Sequence, residues 1–163
     1  MAEQQRPVVV AFDGSAESQL AVATAAELFR DRQIIVVSVW ETGLAMASPA
    51  PASDFTGAPL TLPDPEEVRI LDRIEHDHAQ STAEAGAKLV EAAGGRAVPV
   101  PVPDELDIAD AVESVAEERQ AAVIVVGSRG RGALRSKLMG STSQRLLHHA
   151  RFPVLVVRAR EER

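Results

Sequence analysis

The sequence contains no cysteine, and only 3% of its residues are aromatic. The lack of cysteine excludes disulfides, thiol catalysis and every metal site that uses thiolates. The shortage of aromatic side chains disfavours a nucleic-acid surface, because exposed bases are bound largely by stacking on aromatic rings. No apolar run approaches the ~20 residues of a membrane-spanning helix, and the N-terminal stretch lacks the features of a secretory signal. We therefore expect a soluble, cytoplasmic protein that binds neither nucleic acid nor membranes.

Acidic and basic residues are unevenly distributed along the chain of 163 residues. A chain of this length is most simply one domain, so we expect residues 1–163 to form a single unit. The net charge is −7, yet residues 129–160 hold eight basic residues and no acidic one. These basic residues could be solvated surface, or they could create a local positive field that attracts a small anion.

Short apolar runs alternate with segments of helical periodicity. The runs predict strands at 8–12, 34–39, 96–102, 121–126 and 153–157. The periodic segments predict helices at 15–30, 65–93, 104–119 and 141–150. Alternating strands and helices predict a parallel sheet with right-handed crossovers and helices on both faces, which is an α/β three-layer sandwich.

Capping residues and prolines define several of these boundaries. Asp64 can cap the long second helix, and the glycines at 94–95 can end it. Residues 41–63 are rich in proline, alanine and serine, which is typical of an irregular surface loop. Pro99 and Pro101 cannot donate to a ladder, so the third strand is predicted at an edge of the sheet.

Two predicted strands are followed by residues that could bind a ligand as well as connect the strand to the next helix. Asp13, Gly14 and Ser15 follow the first strand, and a glycine loop that begins at Gly127 follows the fourth. Ligands of open α/β sheets bind beyond the carboxyl ends of strands, where the strand order reverses. If these two strands are neighbours, a nucleotide would fit the crevice between them, with phosphate on the loop amides and the ribose on the carboxylate.

The glycine loop has features of an anion site. Glycines at 127 and 130 let the backbone approach a ligand closely. The segment Gly140-Ser141-Thr142-Ser143 opens a helix whose N–H groups and dipole favour phosphate. Each residue also has a purely structural interpretation, since Ser141 and Gln144 could form a capping box. Their combination after a buried strand favours the anion site.

Neither of the common phosphate-binding patterns fits this loop. A P-loop would need lysine after Gly132, and alanine stands there. A dinucleotide fingerprint would need a third glycine where Arg135 stands. The loop therefore belongs to another class.

The spacing Gly127, Gly130, Gly140-Ser141 corresponds to G-x2-G-x9-G-[S/T] and resembles the signature of the ATP-binding subclass of the universal stress protein family. The stretch VVAFDGSAES and the terminal PVLVV strand resemble the same family. The resemblance implies a Rossmann-like fold, similar to the adenine nucleotide alpha hydrolases, with an open doubly wound five-stranded parallel sheet in the order 3-2-1-4-5. It also implies a homodimer through the last strand, Pro153 to Val157. Arg129 stands where many members have histidine, and Thr142 where a small apolar residue is common.

The resemblance further implies a set of ATP-binding residues. Asp13 is expected at the ribose, Val39 at the adenine, and Gly127 and Gly130 along the ribose and phosphates. The phosphate chain is expected on the residues Gly140, Ser141, Thr142 and Ser143. Asp13 could also hold Mg²⁺ or Mn²⁺ with the triphosphate, although one carboxylate is a small set of ligands.

Candidate catalytic groups are few. His76 and His78 point in different directions on their helix, and His148 and His149 suit a helix C-terminus, so we expect surface or packing roles for all of them. No nucleophile or metalloprotease motif is present. Three hypotheses remain open: an ATP-dependent regulator or sensor of the stress response, a slow ATP hydrolase or phosphotransferase, and an interaction module with an unused pocket.

Overall fold

The computed structural model describes residues 5–42, 64–104, 107–130 and 139–159. The strands are β1 (Val8–Ala11), β2 (Gln33–Glu41), β3 (Arg96–Asp104), β4 (Val123–Gly127) and β5 (Val154–Val157). The helices are α1 (Ala16–Leu28), α2 (Pro65–Ala92), α3 (Ile108–Glu118) and α4 (Ser141–His149). The predicted proline-rich loop lies, from residue 43 onward, outside the described residues.

The strands form one parallel sheet in the order β3-β2-β1-β4-β5. This order confirms the fold class expected from the sequence. From β1 the chain proceeds outward to β2 and β3, and then returns to the other side of β1 with β4 and β5. The strand order therefore reverses between β1 and β4, where a ligand crevice is expected in a doubly wound sheet.

Helices cover both faces of the sheet because the central strands bury side chains on both sides. Val8 and Val10 of β1 belong to the core under α1 and α2. Val9, whose side chain points the other way, belongs to the core under α3 and α4. The continuous apolar run of β1 is thus explained by burial on both faces.

Most predicted helix ends are confirmed. The Ser15 hydroxyl accepts from the Ser18 amide at 3.2 Å, and Asp64 caps α2. The predicted start of the third helix at Asp104 is wrong. β3 continues to Asp104, and α3 begins only after Asp107, whose carboxylate accepts from the Ala109 amide at 2.7 Å.

β3 lies at an edge of the sheet, as its prolines predicted. Prolines occupy alternate positions 99, 101 and 103, while pairing with β2 runs without interruption over all nine residues of β3. We infer that the proline nitrogens face outward, because only then does the ladder keep its donors. None of the helices in the described ranges combines the length and the apolar character needed to cross a membrane.

Candidate nucleotide site

The turn after β1 holds Asp13 in a defined position. The Asp13 Oδ1 atom accepts from the Ser15 amide at 2.9 Å, and Ser15 in turn caps α1. The side chain of Gln19 donates to the carbonyl oxygen of Gly14 at 3.1 Å. The carboxylate is therefore fixed at the carboxyl end of β1 by the start of the following helix.

The loop after β4 passes directly beside this carboxylate. A Cβ atom on Gly130 would lie 2.8 Å from Asp13 Oδ2, which is closer than non-bonded carbon and oxygen atoms pack. The two loops that the sequence placed at neighbouring strand ends thus meet in one crevice. Only glycine fits at position 130 without displacement of the carboxylate.

Gly127 is surrounded by atoms of α1 instead. A Cβ atom there would lie 2.9–3.0 Å from backbone and side-chain atoms of Glu17, in the first turn of α1. Gly127 is buried, and its lack of a side chain lets α1 pack closely on the end of β4. This contact brings the N-terminus of α1 next to the glycine loop.

The far end of the glycine loop returns to its start. The Gly140 amide donates to the Ser128 carbonyl oxygen at 2.8 Å, and the Ser128 amide donates to Val157 of β5 at 2.8 Å. The Ser143 hydroxyl lies 3.1 Å from the Ser128 carbonyl oxygen. These bonds place the start of α4 beside the end of β4, while Arg131 and the other residues of 131–138 lie outside the described ranges.

The first turn of α4 is open to an anion. Gly140 is the N-cap residue and makes no side-chain capping bond. The interpretation of Ser141 as the cap is therefore wrong, because Ser141 is already the first helical residue. The Ser143 hydroxyl is within hydrogen-bond distance of the carbonyl oxygens of Ser128 and Gly140, so its proton is donated within the protein. Within the described ranges, no backbone group accepts from the N–H groups of Ser141 and Thr142, which makes them candidates to bind a phosphate.

A pocket of about 210 Å³ lies next to Asp13, between the end of β2 and the middle of α2. Val39 lines it together with Asp13, and the Val39 side chain packs against the core under α3 and α4. Its contact with adenine stays a prediction. The full lining consists of Asp13, Ser38, Val39, Trp40, Glu41, Glu75, His78, Ala79 and Thr82.

Residues of α2 in this pocket were not predicted. Glu75, His78 and Thr82 lie on one helical face because they are spaced by three and four residues. His78 was expected in a surface or packing role; it is exposed and also lines the pocket. The spacing was visible in the sequence, but which face of α2 meets the end of β2 depends on how the helix crosses the sheet.

Trp40 also lines the pocket, and sequence reasoning missed it. Its ring stands edge-on to His76, with 6.1 Å between ring centroids and an interplanar angle of 86°. The Nε1 atom is buried and has no hydrogen-bond partner among the described residues. Trp40 follows the predicted adenine residue Val39 directly, and that adjacency was the only signal in the sequence.

The charges of the crevice are arranged asymmetrically. Asp13, Glu41 and Glu75 place carboxylates around the pocket, whereas the N-terminus of α4 carries the positive end of a helix dipole. An anionic group is therefore favoured at α4 and disfavoured in the pocket. In the described ranges, no group of three or more histidine and carboxylate side chains is arranged to hold a metal ion.

The chain is similar to known proteins over most of its length. Residues 5–158 match the model of the universal stress protein family. The chain is 31% identical to a universal stress protein of Thermus aquaticus, over 94% of this chain and 98% of the relative. It is 32% identical to a universal stress protein of Mycobacterium tuberculosis, over 95% of this chain but 46% of the relative. The chain thus spans about half the length of this relative and of a second one from Mycobacterium tuberculosis, whereas it covers 95% of a third.

A solved structure with the same fold contains a nucleotide. The universal stress protein from Archaeoglobus fulgidus in complex with dAMP aligns over 94% of this chain and 98% of its own, with a TM-score of 0.61 and 20% identity. At this identity the likeness concerns the fold.

Proposed function

The chain belongs to the universal stress protein family, and from this premise we propose that it binds an adenine nucleotide, ATP, in the crevice at the ends of β1, β2 and β4. The observation that carries the proposal is the contact between the two loops. A Cβ atom on Gly130 would lie 2.8 Å from Asp13 Oδ2, so a carboxylate and a backbone amide loop border the same space. The complex of the Archaeoglobus protein with dAMP supports the ligand class.

The charge asymmetry gives the proposed orientation. The base occupies the pocket against Val39 and beside Trp40, and the ribose hydroxyls donate to Asp13. The phosphates follow the loop past Gly127 and Gly130 toward the start of α4. There the phosphate chain is bound by the residues Gly140, Ser141, Thr142 and Ser143. For Ser143 the contact would come from the amide, because its hydroxyl already faces two carbonyl oxygens.

The proposal includes a regulatory role in the stress response, carried out by a homodimer. β3 is closed to further pairing by its prolines, whereas β5 is the other edge of the sheet and presents partly buried valines. A dimer that extends the sheet would therefore use β5. Nucleotide occupancy could then reach the dimer surface, because β5 and the glycine loop are neighbours.

ATP titration tests the proposed site. Trp40 is the only tryptophan, and the chain has no tyrosine, so intrinsic fluorescence reports directly on the pocket wall. We expect a saturable change with ATP at or below millimolar concentration. Asp13→Ala should weaken binding about tenfold, since it removes an acceptor with a full charge. Gly140→Asp should abolish binding, because its carboxylate would occupy the amides of α4.

Glu66→Gln is the matched control, since it removes one carboxylate far from the crevice, in the exposed first turn of α2. It should bind ATP like the unsubstituted chain. Absence of any ATP binding at millimolar concentration, or undiminished binding by Asp13→Ala and Gly140→Asp together, would refute the assignment.

A further inference from the structure

The short helix α4 is attached to α3 by charged side chains. Arg145 Nη2 donates to Asp110 Oδ2 at 2.8 Å, and Arg145 Nε lies 3.5 Å from Asp107 Oδ1. Both carboxylates belong to the start of α3. We call Arg145, Asp107 and Asp110 the α3–α4 clasp.

The rest of α4 offers little to fix its orientation. Only Ser143 and Leu146 are buried among its nine residues. Leu146 packs into the core under α3. The Gly140 amide and the Ser143 hydroxyl hold the start of α4 on the Ser128 carbonyl oxygen. These bonds fix the position of the first turn, whereas the direction of the helix beyond it depends on further polar contacts.

The clasp connects α4 to a well-fixed part of α3. Asp107 is the N-cap of α3 and accepts from the Ala109 amide at 2.7 Å, so its side chain has a defined direction. Just beyond the other end of α4, the Arg151 amide donates to Glu113 Oε1 of α3 at 2.9 Å. The segment is thus held by α3 at two points.

We propose that Arg145 is a positioning residue for the phosphate end of the nucleotide site, and this inference rests on the proposed function. Arg145 lies one helical turn after the amides of Ser141 and Thr142. A helix moves as a rigid body over so short a distance, so the clasp sets the direction in which these amides point. Arginine suits this role because its planar guanidinium can contact two carboxylates at once.

A simpler explanation is that Arg145 attracts phosphate only through its positive charge. The two explanations predict opposite results when a carboxylate of the clasp is neutralised. Loss of a negative charge strengthens the attraction for an anion if only the field matters. If the clasp positions α4, the same substitution weakens the binding of phosphate.

The experiment compares ATP with adenosine in Asp110→Asn, Asp107→Asn and Arg145→Lys, by calorimetric titration of the full chain. We expect each substitution to weaken ATP binding about fivefold, a typical coupling between linked sites. Adenosine affinity should stay unchanged, because adenosine has no phosphate. Asparagine in place of Asp107 would retain the helix cap. Lysine in place of Arg145 would retain the positive charge but not the planar guanidinium that contacts two carboxylates.

Glu118→Gln is the matched control, because it neutralises a carboxylate at the opposite end of the same helix. It should leave ATP affinity unchanged. Unchanged or tighter ATP binding by Asp110→Asn and Asp107→Asn overturns the inference, as does an equal loss for adenosine and ATP. If the unsubstituted chain fails to bind ATP, the proposed function falls together with the inference; if it binds ATP, only the inference is at stake.

Discussion

Gly130 and Gly94 illustrate, at the scale of single residues, two different reasons for the absence of a side chain. At Gly130 the reason is space, since a Cβ atom would meet Asp13 Oδ2. At Gly94 the reason is conformation, because its φ is +83° and nothing lies within 4 Å of a Cβ atom. The first glycine should therefore matter for ligand binding and the second for stability.

Gly130→Ala and Gly94→Ala should separate these two effects. Gly130→Ala displaces the carboxylate of Asp13, so we expect ATP affinity to fall about tenfold, with little change in the free energy of unfolding. Gly94→Ala forces alanine into the left-handed region and should cost about 1 kcal/mol of stability, with ATP affinity unchanged. Urea denaturation and ATP titration of both variants measure the two effects, and a loss of affinity in Gly94→Ala alone would contradict this assignment.

The residues of the crevice differ in how visible they are in the sequence. Asp13 and Gly130 were both predicted, because a polar residue or a glycine directly after a buried strand is conspicuous. Trp40 was missed and His78 was expected only at the surface, because their position at the pocket depends on tertiary packing. The cap of α4 is Gly140, whereas the alternative interpretation of this segment used Ser141, because serine has the stronger intrinsic preference for that position.

At the scale of elements, α2 is buried in only part of its length. Its buried residues all lie in the second half, where Gly86 faces the sheet. A Cβ atom on Gly86 would lie 2.7 Å from Val36 Cγ1 and 2.9 Å from a ring atom of Phe12. The middle of the helix, from Glu75 to Thr82, lines the pocket. Gly86 lies one helical turn beyond Thr82, so its close contact with the sheet bears on how closely this segment approaches Asp13.

Gly86→Val should destabilise the fold by about 2 kcal/mol or more, because the core on both sides of the new side chain is already filled. Ala85→Val is the matched control on the exposed side of the same turn. It should cost only about 0.5 kcal/mol, from the lower helix propensity of valine. The comparison requires two denaturation curves, and similar losses in both variants would show that the packing at Gly86 is not tight.

At the scale of the whole molecule, the two edge strands of the sheet differ in their capacity to pair with a strand of another copy. Carbonyl oxygens of Pro153 and Val157 accept from β4 and from the residue that follows it. Because successive residues of a strand point their polar groups to opposite sides, the N–H groups of Val154 and Val156 face the open edge. β5 can therefore pair with another copy through these groups, while the prolines at 99, 101 and 103 remove three outward donors of β3.

Val156→Pro should convert the proposed homodimer into a monomer, because it removes an outward donor while the carbonyl groups that face β4 remain in place. Val156→Ala keeps the N–H group and should remain dimeric. Sedimentation velocity of both variants distinguishes them. A dimer in Val156→Pro, or a monomer in the unsubstituted chain, would contradict pairing through β5.

The overall fold was more predictable than the site. Apolar runs such as Val8 to Val10 identify doubly buried strands, and prolines in β3 identify an edge, because both effects act within a short segment. The strand order followed from the family resemblance, since periodicity does not determine which strands are neighbours. The start of α3 was wrong because the extended pairing of β3 with β2 outweighed the local preference for helix.

Ser128 connects the proposed dimer edge to the proposed phosphate site, because its amide bonds to the first and its carbonyl oxygen to the second. Its amide donates to Val157 of β5, and its carbonyl oxygen accepts from the Gly140 amide at the start of α4. Any shift of β5 on pairing therefore acts on α4. Thermodynamic reciprocity then requires that, if ATP changes the dimer dissociation constant, dimerisation changes the ATP affinity by the same factor. The apparent ATP affinity should consequently depend on protein concentration. The amount of the protein in solution would then influence the fraction of it that is bound to ATP.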